Sequence, residues 1–333
     1  MMSRGIRMGV RTAAAAAVVA AALTFDAGAQ TWKPERTVEI ISATAAGGAV
    51  DRANRTVQRI WQEKKIVDVS TAVVNKPGGG NTIAWHYINT HAGDGHYVSI
   101  APYTLLTNKI VGTSPLTWSD FTPLALLFNE YITVSVRADS PIRTAADLVE
   151  RLKKDPSSLS IAVASTLGNH IHVGTAKPLK AAGVDVKRLK VVAFKSSGES
   201  ITNLLGGHID VVSSTTSNVI GQLQAGKIRV LAITSAKRLP GVMASVPTWA
   251  EQGVKGTFFA AQGAIGPKGL NAAQVAFWED AFRKLSQTPE WNKELADSYW
   301  ESNFQGTRDT AKFYENQASE MREILTELGL AKQ

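Results

Sequence analysis

Apolar positions along the chain keep two rhythms. Short, nearly continuous apolar runs at 37–42, 69–75, 97–101, 121–128, 131–137, 160–164, 190–194, 209–213 and 228–234 read as buried strands. Between most of them the apolar positions recur at helical spacing, as in Val50, Val57, Ile60 and Trp61, or in Leu148 and Leu152 behind the capping box Thr144-x-x-Asp147. Strands alternating with helices predict parallel sheets covered on both faces, an α/β fold. The runs 121–128 and 131–137 stand almost adjacent with no helix between them, and there the chain is expected to pass into a second lobe. Residues 257–261 read as a strand carrying it back. The expected division is 30–130 plus 257–333 for lobe 1 and 131–256 for lobe 2. Three amphipathic helices, 271–286, 289–298 and 307–330, follow, with Trp278, Trp291, Trp300 and Phe313 on their apolar faces.

Several strands end in small or hydroxyl-bearing residues just ahead of a helix. The first turn is Thr44-Ala45-Ala46-Gly47-Gly48, and in the second lobe Ser165-Thr166-Leu167-Gly168-Asn169-His170, Lys195-Ser196-Ser197-Gly198 and Ser214-Thr215-Thr216-Ser217 repeat the pattern. A helix start leaves backbone N–H groups free, and Gly47-Gly48 lets a ligand reach them without a Cβ in the way, so this arrangement is an anion site. In open parallel sheets ligands bind at that strand edge. Thr104, just past the strand 97–101, reads equally as a ligand contact or a helix cap, and Tyr103 as a cleft wall or a core aromatic. Asp51, in the first turn of its helix, is expected to answer the helix dipole. His170-x-His172 invites a metal reading, but His86, His91, His96 and His208 are not spaced to complete a site, so no metal is expected.

Composition narrows the class. Arg4, Arg7 and Arg11 precede an apolar run from Ala13 to Leu23, and Ala27-Gly28-Ala29 offers small residues at −3 and −1 of a cleavage site. Residues 1–29 are therefore expected to be a signal peptide cleaved near Ala29/Gln30, leaving a periplasmic protein. Removing three arginines and one aspartate with this leader lowers the net charge from +8 to +6. The absence of cysteine excludes disulfides, thiolate metal sites and cysteine nucleophiles. No basic stretch is interleaved with aromatics, so nucleic acid is not an expected partner. Neither a Gly-x-Ser-x-Gly elbow, a His-Glu-x-x-His pair, a phosphate-loop lysine nor a dinucleotide fingerprint is present.

Seven short motifs in order carry a resemblance: Ala46-Gly47-Gly48-x-x-Asp51, Val74-Asn75-Lys76-Pro77-Gly78-Gly79-Gly80-Asn81, Asp94-Gly95, Asp120-Phe121-Thr122-Pro123-Leu124-Ala125, Leu204-Leu205-Gly206-Gly207-His208-Ile209-Asp210-Val211, Leu231-Ala232-Ile233-Thr234-Ser235-Ala236-Lys237-Arg238 and Val246-Pro247-Thr248. Over nearly the whole mature chain the sequence resembles the Bug-type periplasmic solute receptors of tripartite tricarboxylate transporters. The resemblance implies a two-lobed, type II Venus-flytrap fold that captures a carboxylated solute between its lobes. It implies a pincer on the carboxylate formed by Thr44, Ala46, Gly47 and Gly48 from one lobe and by Ser165, Thr166, Asn169 and His170 from the other. Tyr103, Thr104, Ser214 and Thr215 complete the candidate ligand-binding set.

Two departures shape the expected ligand. Where the family usually carries proline and phenylalanine before the glycines, this chain has Ala43 and Thr44. Members that bind amino acids have an aspartate near the position of Ser214, and a hydroxyl cannot balance a buried ammonium. The expected ligand is thus an anionic, non-amino dicarboxylate or aromatic carboxylate, bound by a monomer without cofactor and delivered to a membrane permease. Alternatives are a secreted hydrolase or lyase using the same cleft, and a sensor component that presents its ligand to a signalling protein.

Overall fold

Two mixed β-sheets, each flanked by helices, make up the fold. The computed structural model describes residues 31–101 and 103–332, so the expected leader and its cleavage site lie outside the described residues. The first sheet takes its strands from β1 (Val38–Ser42), β2 (Thr71–Asn75), β3 (Tyr97–Ala101), β4 (Thr122–Glu130), β10 (Ala260–Gly266) and β11 (Glu301–Gln305), in the order β11-β4-β10-β3-β1-β2. The second has β5 (Ile132–Arg137), β6 (Ser160–Ala164), β7 (Lys190–Phe194), β8 (Val211–Thr215) and β9 (Ile228–Ile233), in the order β7-β6-β8-β5-β9. In each sheet three neighbouring strands are parallel and the rest antiparallel. The parallel trios are β2-β1-β3 and β7-β6-β8, so the C-terminal ends of each trio share one sheet edge.

The chain leaves the first sheet after Glu130 and enters the second at Ile132, with Tyr131 alone between them. It returns through residues 256–259 ahead of β10. The two crossings lie side by side: Ala260 pairs with Glu130, the Phe258 N–H donates to the Thr234 carbonyl at 3.0 Å, and the Thr234 N–H donates to the Ile132 carbonyl at 2.9 Å.

Helices cover both faces of both sheets. On one face of the first sheet, α1 (Ala49–Glu63), α8 (Ala272–Ser286) and α9 (Pro289–Asp297) bury Trp61, Trp278 and Trp291 in a core with Phe128 and Phe282. On its other face, α2 (Thr82–Asn89), the short α3 (Thr104–Thr107) and α10 (Thr307–Glu327) contribute Trp85, Leu105, Leu106, Met321 and Leu325. That apolar cluster continues without a break into the second sheet, through Ile171, Val173 and Leu179 of α5 (His170–Ala181) and Leu148 and Leu152 of α4 (Ala145–Lys154). A third cluster lies under α6 (Ser197–Leu205) and α7 (Thr216–Gln224).

Three elements depart from the pattern reading, each for a local reason. Strand β8 begins at Val211, not residue 209, because the Asp210 carboxylate accepts hydrogen bonds from the Ser160 N–H at 2.8 Å and hydroxyl at 2.7 Å; this anchor fixes where pairing starts, and β8 runs on through Thr215. The returning strand starts at Ala260, since Phe258 is still hydrogen-bonded to the end of β9. Strand β11, Glu-Ser-Asn-Phe-Gln, is too polar to show as a strand; it sits at the sheet edge on β4. Trp300, expected on a helix face, instead lies between α9 and β11, stacked on Phe128 with ring centroids 4.2 Å apart.

Candidate functional site

The first turn is built around a buried aspartate. Asp51 is 1 % exposed. Its carboxylate accepts hydrogen bonds from the Gly47 N–H (2.8 Å), the Asn75 side-chain amide (2.7 Å) and Arg55 Nε (2.9 Å). Burial pushes this carboxyl up, and the donors from Arg55, Asn75 and Gly47 outweigh it, leaving the group below the usual carboxylate range. Asn75 also donates to the Thr44 carbonyl at 2.9 Å, tying the turn to the end of β2. Gly47 sits at φ +84°, where a side chain would be strained. Gly48 occupies the N-cap of α1 at φ −70°, and no side chain caps the helix. The N–H groups of Ala49 and Val50 thus begin the helix without an intrahelical acceptor, beside the exposed Ala45 and Ala46. Asp51 therefore does more than answer a dipole: it consumes one donor, that of Gly47, to hold the others in place.

The second turn follows β6, with Ser165 at φ +67° and Gly168 at φ +79°. Asn169 is a structural cap. Its side-chain oxygen accepts from the Ile171 and His172 N–H groups, and its amide donates to the Ala164 carbonyl at 2.6 Å. His172 is equally committed, its Nδ1 accepting from the Gly168 N–H at 3.0 Å. His170 differs: its ring packs edge-on against Tyr103 at 6.1 Å, and its Nδ1 is buried without a protein partner. Burial lowers both imidazoles to about 4, so both are neutral at pH 7. Among the described residues no group of three or more histidines and carboxylates is placed to hold a metal ion.

Ser214 and Thr215 lie inside β8, not in the turn after it. The Ser214 hydroxyl is fully buried with no partner, while the Thr215 hydroxyl accepts from the Asn218 amide at 2.8 Å. Thr104 is 2 % exposed and its hydroxyl accepts from the Asn81 amide at 2.7 Å, and Tyr103 is buried with its hydroxyl on Gln317. Both are held in place by the first lobe's own structure.

Sequence reasoning missed the loop that joins the two edges. Gly78, Gly79, Gly80 and Asn81 all have positive φ, from +56° to +123°, and lead into α2 with no side chain capping it. A methyl group placed on Gly80 would lie 3.2 Å from Cγ2 of Thr113 and 3.4 Å from Cγ2 of Thr166. The same holds one turn further along, where a Cβ at Gly168 would meet Cγ1 of Val111 at 2.6 Å and Cδ2 of Leu325 at 3.3 Å. The C-terminal strand edges of the two sheets therefore meet, through Gly80 against Thr166 and Tyr103 against His170. The Pro-Gly-Gly-Gly-Asn run was the available signal; four successive residues of that kind have few uses other than a backbone held open at positive φ.

Two grooves indent the surface near this junction. One, of about 370 Å³, lies between α5 and α10, where Lys177 pairs with Glu320 at 2.7 Å and Lys180 with Glu327. The other, of about 360 Å³, is lined by Lys109, residues 112–115, Arg322 and Lys332. Neither is lined by a residue expected to touch ligand.

This architecture has well-defined relatives. The protein from Cupriavidus necator described as the UPF0065 protein in the gbd 5' region is 27 % identical over 323 residues, covering 96 % of this chain and 95 % of its own. R. palustris Rpa4515, solved with adipate, is 25 % identical and superposes with a TM-score of 0.79 over 90 % of this chain and 99 % of its own. The periplasmic binding protein BugD, at 24 % identity, shares the fold with a TM-score of 0.77 over 90 % of this chain and all of its own. A Polaromonas relative of the same fold is described as a TctC solute binding protein. Residues 55–330 match the family described as tripartite tricarboxylate transporter family receptor, and with most of its length inside that match the chain belongs to this receptor family.

Proposed function

We propose that the protein is an exported receptor that closes on a small dicarboxylate or aromatic carboxylate and delivers it to a tripartite tricarboxylate-type permease. The observation that carries the reading is the uncapped start of α1, with Gly48 at its N-cap and Asp51 fixing the turn. The second jaw is the turn at Ser165, Thr166 and His170, which the Gly80 and Tyr103 contacts bring toward the first lobe. A carboxylate fits fixed N–H and hydroxyl donors through charge-assisted hydrogen bonds without a buried cation. The adipate held by the R. palustris relative is a ligand of this class. The leader-like first 29 residues support export to the periplasm. The lobes, 30–130 plus 257–333 and 131–256, would turn about the paired crossings, and ligand would favour the closed arrangement because only that one offers both jaws.

The test is a thermal-shift screen over mono-, di- and aromatic carboxylates beside the matching amides. A true ligand at a hundred times its Kd adds about 2.7 kcal/mol to stability, and its amide should add nothing. Gly48→Val should remove the response while costing no more than about 1 kcal/mol in stability, because φ there is −70° and the nearest atoms to a new Cβ are 3.4 Å away. Equal shifts with acids and amides, or an undiminished shift in the variant, would overturn the assignment.

A further inference from the structure

Among the described residues only two large apolar side chains are left exposed, Ile83 at 53 % and Leu167 at 40 %. Single exposed aliphatics are ordinary, but these two share a location. Ile83 packs its Cδ1 beside Gly78 in the glycine loop of the first sheet. Leu167 follows Thr166 in the facing turn of the second. Ile83 lies three residues past Gly80 and Leu167 directly after Thr166, so the approach of Gly80 to Thr166 sets one exposed aliphatic from each lobe beside the junction.

A cationic groove adjoins the same junction. Thr113, which touches Gly80, is also part of the lining shared by Lys109, Arg322 and Lys332. Among the described residues no acidic side chain lines the groove, and no ion pair joins Lys109, Arg322 or Lys332 to a carboxylate. Lys332 is placed there by the fold: its N–H donates to the Ile110 carbonyl at 2.8 Å, and its aliphatic stem lies over Gly112, where a Cβ would come within 2.5 Å of it. Three like charges gathered in one groove repel one another, a cost that an acidic partner reverses.

We propose that Ile83, Leu167 and the groove of Lys109, Arg322 and Lys332 together form the docking surface for an acidic extracytoplasmic segment of the membrane permease, with its apolar side chains against Ile83 and Leu167. This rests on the receptor reading and adds to it that the partner senses closure, because the apolar half of the surface is contributed by both lobes.

The experiment uses the full-length receptor in its mature form with proteoliposomes carrying its permease, protein-free phosphatidylglycerol vesicles and protein-free neutral vesicles. Flotation should recover the receptor with permease vesicles only, and association should fall at least tenfold between 50 mM and 300 mM salt, where screening shortens the reach of the groove. Lys109→Glu/Arg322→Glu and, separately, Ile83→Ser should each lower association at least tenfold while the thermal shift with adipate, or with whichever carboxylate the screen selects, stays as in the unaltered protein. Unaltered flotation of both variants overturns the proposal, and so does equal binding to phosphatidylglycerol vesicles, which would make the groove a lipid contact. Permease-specific flotation without any carboxylate response would overturn the solute reading and leave the docking surface standing.

Discussion

A single histidine shows how the second turn is held. His172 accepts a hydrogen bond from the Gly168 N–H through Nδ1, which requires that nitrogen to be unprotonated. Burial lowers the group to about 4 from 6.5. The unfolded chain therefore takes up this proton before the folded one, so the stabilisation is complete above about pH 6.5 and is lost as pH falls from there toward 4. His172→Gln keeps a side-chain acceptor and cannot titrate, and its melting temperature should fall less than that of the unaltered protein across this interval. Calorimetry at half-unit steps of pH reads the difference; parallel profiles would show that His172 does not titrate there. His170 shares the shift but bonds to no backbone group through Nδ1, so its replacement should leave the geometry of the turn intact while removing a buried polar atom that has no protein partner.

At the scale of elements, the decisive contact lies between a loop and a turn. Gly80 at φ +61° faces Thr113 and Thr166, so Gly80→Ala adds both backbone strain and a methyl group where the lobes meet. Carboxylate affinity should fall roughly tenfold or more, mainly through faster release, while Gly253→Ala, also at positive φ but with open space around it, should cost stability alone. Titration calorimetry on the two variants separates strain from obstruction, and equal affinities would remove the loop from the closing surface. Much of this was legible beforehand. The strand at 97–101, the capping box at Thr144 and the turns after β1 and β6 follow from period, cap chemistry and small residues, and the structure has each of them where the pattern puts it. What stayed hidden depends on partners remote in sequence. Thr104 could not be recognised as the acceptor for Asn81, 23 positions earlier. Strand β11 owes its existence to pairing with β4, which its own polar residues do not advertise.

The molecule as a whole turns on the place where the chain crosses between sheets. Glu130, the last residue of β4, is 3 % exposed and accepts hydrogen bonds from the Trp300 indole at 2.9 Å and the Gln262 amide at 2.8 Å. One carboxyl thus ties the outgoing strand to β10, on which the chain returns, and to the residue just before β11. Burial raises it to about 7 from 4.5, against the pull of those donors and of Arg52. An acid raised in the folded state binds its proton there while the unfolded chain has lost it, so this group's contribution falls as pH rises from 4.5 to 7, by up to roughly 3 kcal/mol. The sign is opposite to that of His172, and the two overlap between pH 4.5 and 6.5, so the unaltered protein alone cannot separate them. Glu130→Gln can. Its amide oxygen still accepts from Trp300, and its NH₂ can donate to the Gln262 oxygen, which now has no partner, once that amide turns over. Denaturant titrations at pH 5, 6, 7 and 8 should show the variant gaining on the unaltered protein steadily as pH rises, with the largest gain above pH 7. A gap that stays constant across the series would mean that Glu130 keeps one protonation state throughout, and that the crossing holds its shape at neutral pH without the neutral acid.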